Sequence, residues 1–355
     1  MNVAALDRLE SNAYIRGEGR CHVVIGFERN GGHYVWRIQK MFAQDKVSVL
    51  DNVLRLQRHL VPLKWRTSES SIWAMELPDL CYFPKYSPSS GSDAIAVELK
   101  PKQGFFPMVK SRDGIYKEMY DFCPLDLYSN NFKRVYRAIS CLVEKPHANM
   151  KVFRNGQLVH SSQQPAAKPN LDALFNHNCN VSRTEDFAEL IAKVLTAPSV
   201  EESKHGGSET ANAPLLQYIL WLQKQDTKGP FDISEAIVKL QEGLKSAVCS
   251  NDWLCLLSNA DASTKASAVR SLTTATLRDC SLMITMRITS CEPEKGPYHA
   301  LRLSCGCSVI YHLRLIDLDI KSPRKLIAYA ERLYEAAEYV RQSKIESRRP
   351  PCLEE

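Results

Sequence analysis

Val97-Glu98-Leu99-Lys100-Pro101-Lys102-Gln103-Gly104-Phe105 is the stretch on which the reading of this chain turns. Strand side chains alternate, so Ile95, Val97 and Leu99 face a core while Glu98 and Lys100 share the opposite face, with Lys102 continuing that face beyond the proline. A carboxylate beside two ammonium groups on one short face makes an anion site, flanked by a group able to accept hydrogen bonds from ribose hydroxyls. A solvated strand face explains the same spacing equally well, so the surrounding sequence has to decide.

Upstream, Tyr14 to Lys40 reads as two short strands around a Gly31-Gly32 turn, preceded by Arg16-Gly17-Glu18-Gly19-Arg20. Glycines let backbone N–H groups approach phosphates closely. Arg37 on the following strand stands where a kinase keeps a basic residue against nucleotide phosphates. A plain hairpin turn and an exposed strand arginine are the bland alternatives. A helix is expected over Asp45 to Leu60, with Val49, Val53, Leu56 and Leu60 on one stripe. Strands are expected at Ser71–Leu77 and Asp93–Lys100, and a helix at Asn131–Val143.

Downstream, Ser161–Asn170 and Pro198–Pro214 are polar and read as loops. Helical patterns fill Glu185–Leu195, Leu215–Gln223 and Ser234–Leu244, and strands are expected at Ser281–Ile288 and Val309–Ile320. A last helix runs from Ser322 to about Gln342, with Ser322 as N-cap and Pro323 at the first helical position. Asp279 stands just ahead of a buried strand, as a catalytic carboxylate or as a turn residue. In Ile316-Asp317-Leu318-Asp319-Ile320-Lys321 the apolar residues point one way and Asp317, Asp319 and Lys321 the other. Two such acids are costly to bury without a cation. Magnesium held through one or two carboxylates plus phosphate oxygens is the usual answer in phosphoryl transfer. Lys321, Arg324 and Lys325 then sit at a helix N-terminus, where the dipole also favours phosphate. A polar strand end before a capped helix is the alternative.

The order of elements, a β-rich start and then a larger, mostly helical part with late strands, is that of an α+β, two-lobed kinase-like fold. The expected division is 1–80 for a small N-lobe and 81–355 for a C-lobe. Composition agrees with a globular chain: 355 residues, 44% hydrophobic and 24% charged. No apolar run approaches the ~18 residues of a membrane span. The start, Met1 to Arg8, is charged too soon for a signal peptide. The 12 cysteines are scattered, with Cys305-Gly306-Cys307 the one close pair, which favours free thiols over a zinc site and points to a reducing compartment, cytoplasmic or nuclear. The net charge of +6 leaves room for a basic pocket, and without an aromatic-plus-basic strand motif it does not indicate nucleic acid. A monomer is expected.

Together these segments resemble the inositol-pentakisphosphate 2-kinase family. Glu98-Leu99-Lys100-Pro101-Lys102-Gln103-Gly104-Phe105 matches its Glu-x-Lys-Pro-Lys-x-Gly-Phe signature. Cys123 to Ser129, Asn149 to Gly156, Arg278 to Ile284 and Ile316 to Lys321 match further blocks, in family order from about Tyr14 to Tyr329. The resemblance implies transfer of the ATP γ-phosphoryl group to the 2-hydroxyl of inositol pentakisphosphate. It implies Asp279 as general base, Asp317 as Mg²⁺ ligand with Asp319 beside it, and Glu98 at the nucleotide. Gly17, Glu18, Gly19, Arg20 and Arg37 would lie over the ATP phosphates, with the adenine hinge near Leu77 to Leu80 and including Asp79. Lys100, Lys102, Asn149, Lys151, Lys321, Lys325 and Tyr329 would hold inositol phosphates. The chain departs from the family at Ala148, where asparagine is usual, and at Lys151 and Lys325, where arginine is common. Lysine there keeps the charge without the bidentate fork. Between Gly104 and Cys123 the chain is short, and Lys110 and Lys117 both stand as substitutes for a further phosphate-binding lysine. Two other readings are a kinase for another inositol phosphate and a non-catalytic inositol-phosphate-binding protein.

Overall fold

The computed structural model describes residues 14–18, 22–39, 60–64, 71–83, 93–105, 124–162, 171, 174, 186–198, 214–226, 235, 238, 260–289, 296, 298–304, 306–319, 321, 325–332, 334 and 335. The chain divides into two units, Met1–Ser89 and Ser90–Glu355. The expected helix over 45–60 lies outside the described residues save for Leu60, which opens a strand. The expected helix over 234–244 is described only at Glu235 and Val238.

In the first unit, β1 (Tyr14–Glu18), β2 (His22–Arg29), β3 (Gly32–Gln39), β4 (Leu60–Lys64) and β5 (Ser71–Pro78) form an antiparallel sheet of order β1-β2-β3-β5-β4. The β2–β3 turn is tight because Asn30 and Gly31 take positive φ, 53° and 69°, as a two-residue hairpin loop demands. Phe27 and Trp36 are buried within this sheet, their rings edge-to-face at 5.0 Å.

In the second unit, β6 (Ile95–Leu99), β7 (Met150–Arg154), β8 (Gln157–His160), β9 (Ser281–Thr289), β10 (His299–Arg302) and β11 (Ser308–Ile316) form an antiparallel sheet of order β10-β11-β9-β6-β7-β8. The described helices are α1 (Pro124–Leu127), α2 (Phe132–Glu144), α3 (Phe187–Thr196), α4 (Leu215–Gln223) and α5 (Ala262–Asp279), followed by helical residues 325–332, 334 and 335. Asn131 caps α2 by accepting from the N–H groups of Lys133 and Arg134, and the helix buries Val135, Ala138, Ile139 and Leu142. These side chains join one core with Val97, Leu99, Val152, Leu282 and Ile284 of the sheet and Leu190, Ile191 and Ile219 of α3 and α4. Ile95, Val97 and Leu99 face that core, and Ala96, on the opposite face of β6, is also wholly buried. Among the described residues no helix is long and apolar enough to cross a membrane.

Two strand expectations need correction. β11 stops at Ile316, not Ile320, because its last partner is Ser281, the first residue of β9. Asp317 then turns into the left-handed region at φ 60°, and Leu318 is exposed instead of lying on a buried strand face. Likewise β6 ends at Leu99. Pro101 has no N–H to continue the ladder, and Lys102 is left-handed at φ 60°, so it stands on a turn and does not extend the strand face.

Candidate active site

Sheet register brings three chain segments to one edge. Leu99, the last residue of β6, pairs with Leu282 near the start of β9, and Ile316, the last of β11, pairs with Ser281. Lys100 and Lys102 therefore leave β6 where α5 hands over to β9 through Asp279 and Cys280, and where β11 gives way to Asp317. Asp279 is the last residue of an 18-residue helix, not a turn residue before the strand. A carboxylate there faces the negative end of the helix dipole, which disfavours it by a few tenths to about 1 kcal/mol unless cations stand by.

Three lysines supply those cations. Lys321 Nζ donates to Asp279 Oδ2 at 2.6 Å, and Lys102 Nζ lies 3.7 Å from Asp279 Oδ1. Lys100 Nζ donates to the Asp279 backbone carbonyl at 3.3 Å and lies 3.5 Å from Asp317 Oδ2. Burial alone would raise the Asp279 carboxyl, but the hydrogen bond and charge of Lys321, with the charges of Lys102 and Lys100, outweigh it and hold it below the usual carboxylate value. The Lys102 ammonium is pushed below its ordinary value, first by burial and then by Lys100 and Lys321, against the pull of Asp279. Three ammonium groups thus converge on two carboxylates at the ends of β6 and β11, an arrangement able to receive an anion.

Glu98 and Lys151 face each other across β6 and β7. Lys151 Nζ donates to Glu98 Oε2 at 3.0 Å and Ser281 Oγ to Glu98 Oε1 at 3.1 Å. Lys151 thus neutralises Glu98. Asn149 accepts the Lys100 N–H through its backbone carbonyl at 2.7 Å. Tyr329 OH donates to Gln103 Oε1 at 3.4 Å, and the Arg278 guanidinium lies 5.1 Å from the centroid of the Tyr329 ring. Asp319 is held through its carbonyl, which accepts from Thr276 Oγ1 at 3.3 Å. Lys325 is exposed on the last helical stretch. Sequence reasoning gave no task to Gln103, Thr276 or the side chain of Arg278. Gln103 and Arg278 lie inside the quoted motifs, which was the signal that could have found them.

The first unit carries the residues expected at a nucleotide other than Glu98. Gly17 and Glu18 lie in β1, where the pairing to β2 shifts register between Ile15 and Gly17. Arg37 is half-buried on β3, opposite Val24 and Met75. Gly19 and Arg20 lie outside the described residues, as do Lys110 and Lys117. Asp79 is buried and its carboxylate builds its own turn. Oδ2 lies 3.2 Å from Arg16 Nε and accepts from Tyr14 OH at 3.4 Å, and Oδ1 accepts from the Cys81 N–H at 3.0 Å. Burial, aided by Asp79, pushes the Cys81 thiol up to about 12.

Comparison with known proteins bears on these arrangements. The sequence pattern of the inositol-pentakisphosphate 2-kinase family matches residues 36–333. A curated inositol-pentakisphosphate 2-kinase of Danio rerio is 33% identical over 122 residues, covering 28% of this chain and 25% of that protein. One of Arabidopsis thaliana is 28% identical over 282 residues, covering 68% of this chain and 58% of that protein. One of Oryza sativa subsp. indica is 25% identical over 276 residues, covering 67% and 58%. The chain thus spans a little over half the length of the plant relatives. With the family pattern matched from β3 to the last helical residues, the chain belongs to the inositol-pentakisphosphate 2-kinase family.

Proposed function

We propose that this protein transfers the γ-phosphoryl group of ATP to the 2-hydroxyl of inositol 1,3,4,5,6-pentakisphosphate, giving inositol hexakisphosphate. The observation that carries the reading is the cluster of Lys100, Lys102 and Lys321 around Asp279 and Asp317. At roughly −1.5 to −2 per phosphate, five phosphates carry on the order of −8 to −10 of charge, and a site for them needs converging cations. A pure anion-binding site would bind more tightly without carboxylates in its midst. Asp279 and Asp317 therefore point to chemistry at the same place.

In this reading Lys100, Lys102 and Lys321 exchange carboxylates for substrate phosphates. Their release frees Asp279 to take the proton of the attacking hydroxyl, because the charges that hold its pKa down are then spent on the ligand. Asn149, Lys151, Lys325 and Tyr329 are proposed as further substrate contacts, and Glu98, Asp79, Gly17, Glu18, Gly19, Arg20 and Arg37 as residues at the nucleotide. Phosphoryl transfer asks for positioning and charge stabilisation more than covalent chemistry, which suits such a set. Magnesium fits the donors present: the Asp317 side chain is 37% exposed at the strand end, and the ion commonly takes only one or two carboxylates beside phosphate oxygens and water. Asp317, with Asp319, would hold it, and bound there it would offset charge on the ATP phosphates. The test is incubation with Mg-ATP and each inositol pentakisphosphate isomer, with products identified by chromatography. Conversion of the isomer with a free 2-hydroxyl to the hexakisphosphate is expected. Conversion of a different inositol phosphate alone, or tight binding with no product, would overturn the reading in favour of another inositol phosphate kinase or a binding protein.

A further inference from the structure

Gln223 ends α4 with its side chain fully buried, and none of the roles above involves it. Its Nε2 donates to the Lys102 carbonyl at 2.9 Å and lies 3.4 Å from both the Leu277 carbonyl and the Tyr128 hydroxyl. Its Oε1 accepts from the Gly104 N–H at 3.0 Å. These partners orient the amide, since backbone carbonyls need its NH₂ end and a backbone N–H needs its oxygen. The Lys102 carbonyl also accepts from Tyr128 OH at 3.0 Å, so both of its lone pairs are taken.

Lys102 needs that hold. Its φ of 60° is left-handed, a conformation a non-glycine residue keeps only where the surroundings over-determine it. The turn is also pressed against its neighbours: a Cβ on Gly104 would meet the Tyr128 ring at 2.7 Å and Leu220 of α4 at 2.9 Å. On its other side the Gln223 amide reaches α5 at the Leu277 carbonyl, two residues before Asp279. One buried amide thus ties the turn bearing Lys102 to the helix bearing Asp279.

We propose that Gln223 is a positioning residue that sets the Lys102 ammonium against Asp279 and so fixes the geometry of the phosphate-binding turn. It acts through Lys102 and does not itself touch substrate. The inference rests on the reading of this cluster as the site of phosphoryl transfer. Gln223→Met keeps the side-chain volume and removes the amide bonds. Thr274→Val removes the hydrogen bond that Thr274 Oγ1 donates to the Gln223 backbone carbonyl at 3.3 Å, leaves the Gln223 side-chain amide and Lys102 in place, and serves as the control for general weakening of the core.

Displacing a group by on the order of 1 Å costs up to about 100-fold in rate. Gln223→Met is therefore expected to lower kcat by about 10- to 100-fold, while Thr274→Val melts earlier but turns over like the wild type. In a Lys102→Ala background Gln223→Met should cost nothing further, because both changes remove one action. A second readout needs no turnover: the Asp279 carboxyl titration, followed by ¹³C NMR and assigned with Asp279→Asn. Its midpoint should rise in Gln223→Met and in Lys102→Ala and stay put in Thr274→Val. Wild-type protein that makes no product would sink the proposed activity alone, and this midpoint would still decide the role of Gln223. An unmoved midpoint in folded Gln223→Met, additive losses with Lys102→Ala, or an equal loss of turnover in Thr274→Val overturns the inference. Should Gln223→Met fail to fold, Tyr128→Phe, which removes the other hydrogen bond to the Lys102 carbonyl, is read in the same two ways.

Discussion

Replacing Asp279 by asparagine separates the catalytic reading of the site from a structural one. The amide keeps the shape of the carboxylate and leaves an oxygen where Lys321 now donates at 2.6 Å. The Asp279 side chain is 51% exposed, so the lost ion pairing is screened by water and should cost about 1 kcal/mol or less in stability. Loss of a general base, by contrast, costs about 10²- to 10⁴-fold in rate, or about 2.7 to 5.4 kcal/mol of transition-state stabilisation at 1.36 kcal/mol per decade. The two magnitudes are far enough apart to distinguish the roles. The assay is kcat from product formation, with ATP and inositol pentakisphosphate binding by calorimetry and urea unfolding on the same preparation. The expected result is a fall in kcat within that range, binding retained, and a small stability loss. That stability loss also carries a pH signature. The Asp279 carboxyl is held below its ordinary value in the folded protein, so its contribution is present above the unfolded pKa of about 3.9 and fades as pH falls through the lower folded value. The difference between wild type and Asp279→Asn should narrow in that acid range. Unchanged kcat would refute the reasoning outright, and loss of nucleotide binding with normal turnover per bound complex would move Asp279 to the metal or nucleotide.

Asp317→Asn is expected to abolish turnover while leaving the melting temperature close to that of the wild type, and wild-type turnover in excess chelator would refute the magnesium role assigned to this residue. Asp126 is buried between Arg134 at 2.9 Å and Arg137. Asp126→Ala removes the buried carboxylate that the Arg134 and Arg137 guanidiniums share and should cost about 3–5 kcal/mol in urea unfolding, a claim that a loss under about 1 kcal/mol would sink. Lys102→Met should melt no lower than the wild type, because burial and two neighbouring lysines already disfavour the ammonium, yet bind inositol phosphates far more weakly; a large drop in melting temperature would contradict this. Because the folded protein releases the Lys102 proton below the unfolded value of about 10.4, the wild type should gain stability relative to Lys102→Met as pH climbs through that window.

Much of the local structure could be read directly. α4 occupies the residues its apolar pattern marked, and α2 begins after Asn131, because capping and periodicity act within a few residues. The β7–β8 hairpin was legible and passed over: Asn155-Gly156, with φ of 45° and 78°, is a favoured two-residue hairpin turn. α5 was not legible from apolar spacing. Its buried face includes Ser267, Ser271 and Thr274, small polar residues that carry no hydrophobic stripe. The last apolar–acidic alternation misled for the opposite reason. A strand continues only while it has a partner, and β11 loses its partner at Ser281 whatever its own residues prefer.

The sequence by itself determined the inventory of the candidate site: the lysines of the Lys-Pro-Lys segment, the aspartates at 279 and 317, and their order along the chain. It also determined the α+β class, through patterns that each operate over a few residues. Tertiary structure decided which of these groups meet. Lys100 and Asp279 are 179 residues apart, and they converge because the order β11-β9-β6 and its register bring the ends of two strands to the start of a third. Backbone strain decided the rest. The left-handed turns at Lys102 and Asp317 aim charged groups where no strand alternation would, and at Lys102 that conformation is held by buried partners elsewhere in the chain, Gln223 and Tyr128, which occupy both acceptor positions of its carbonyl.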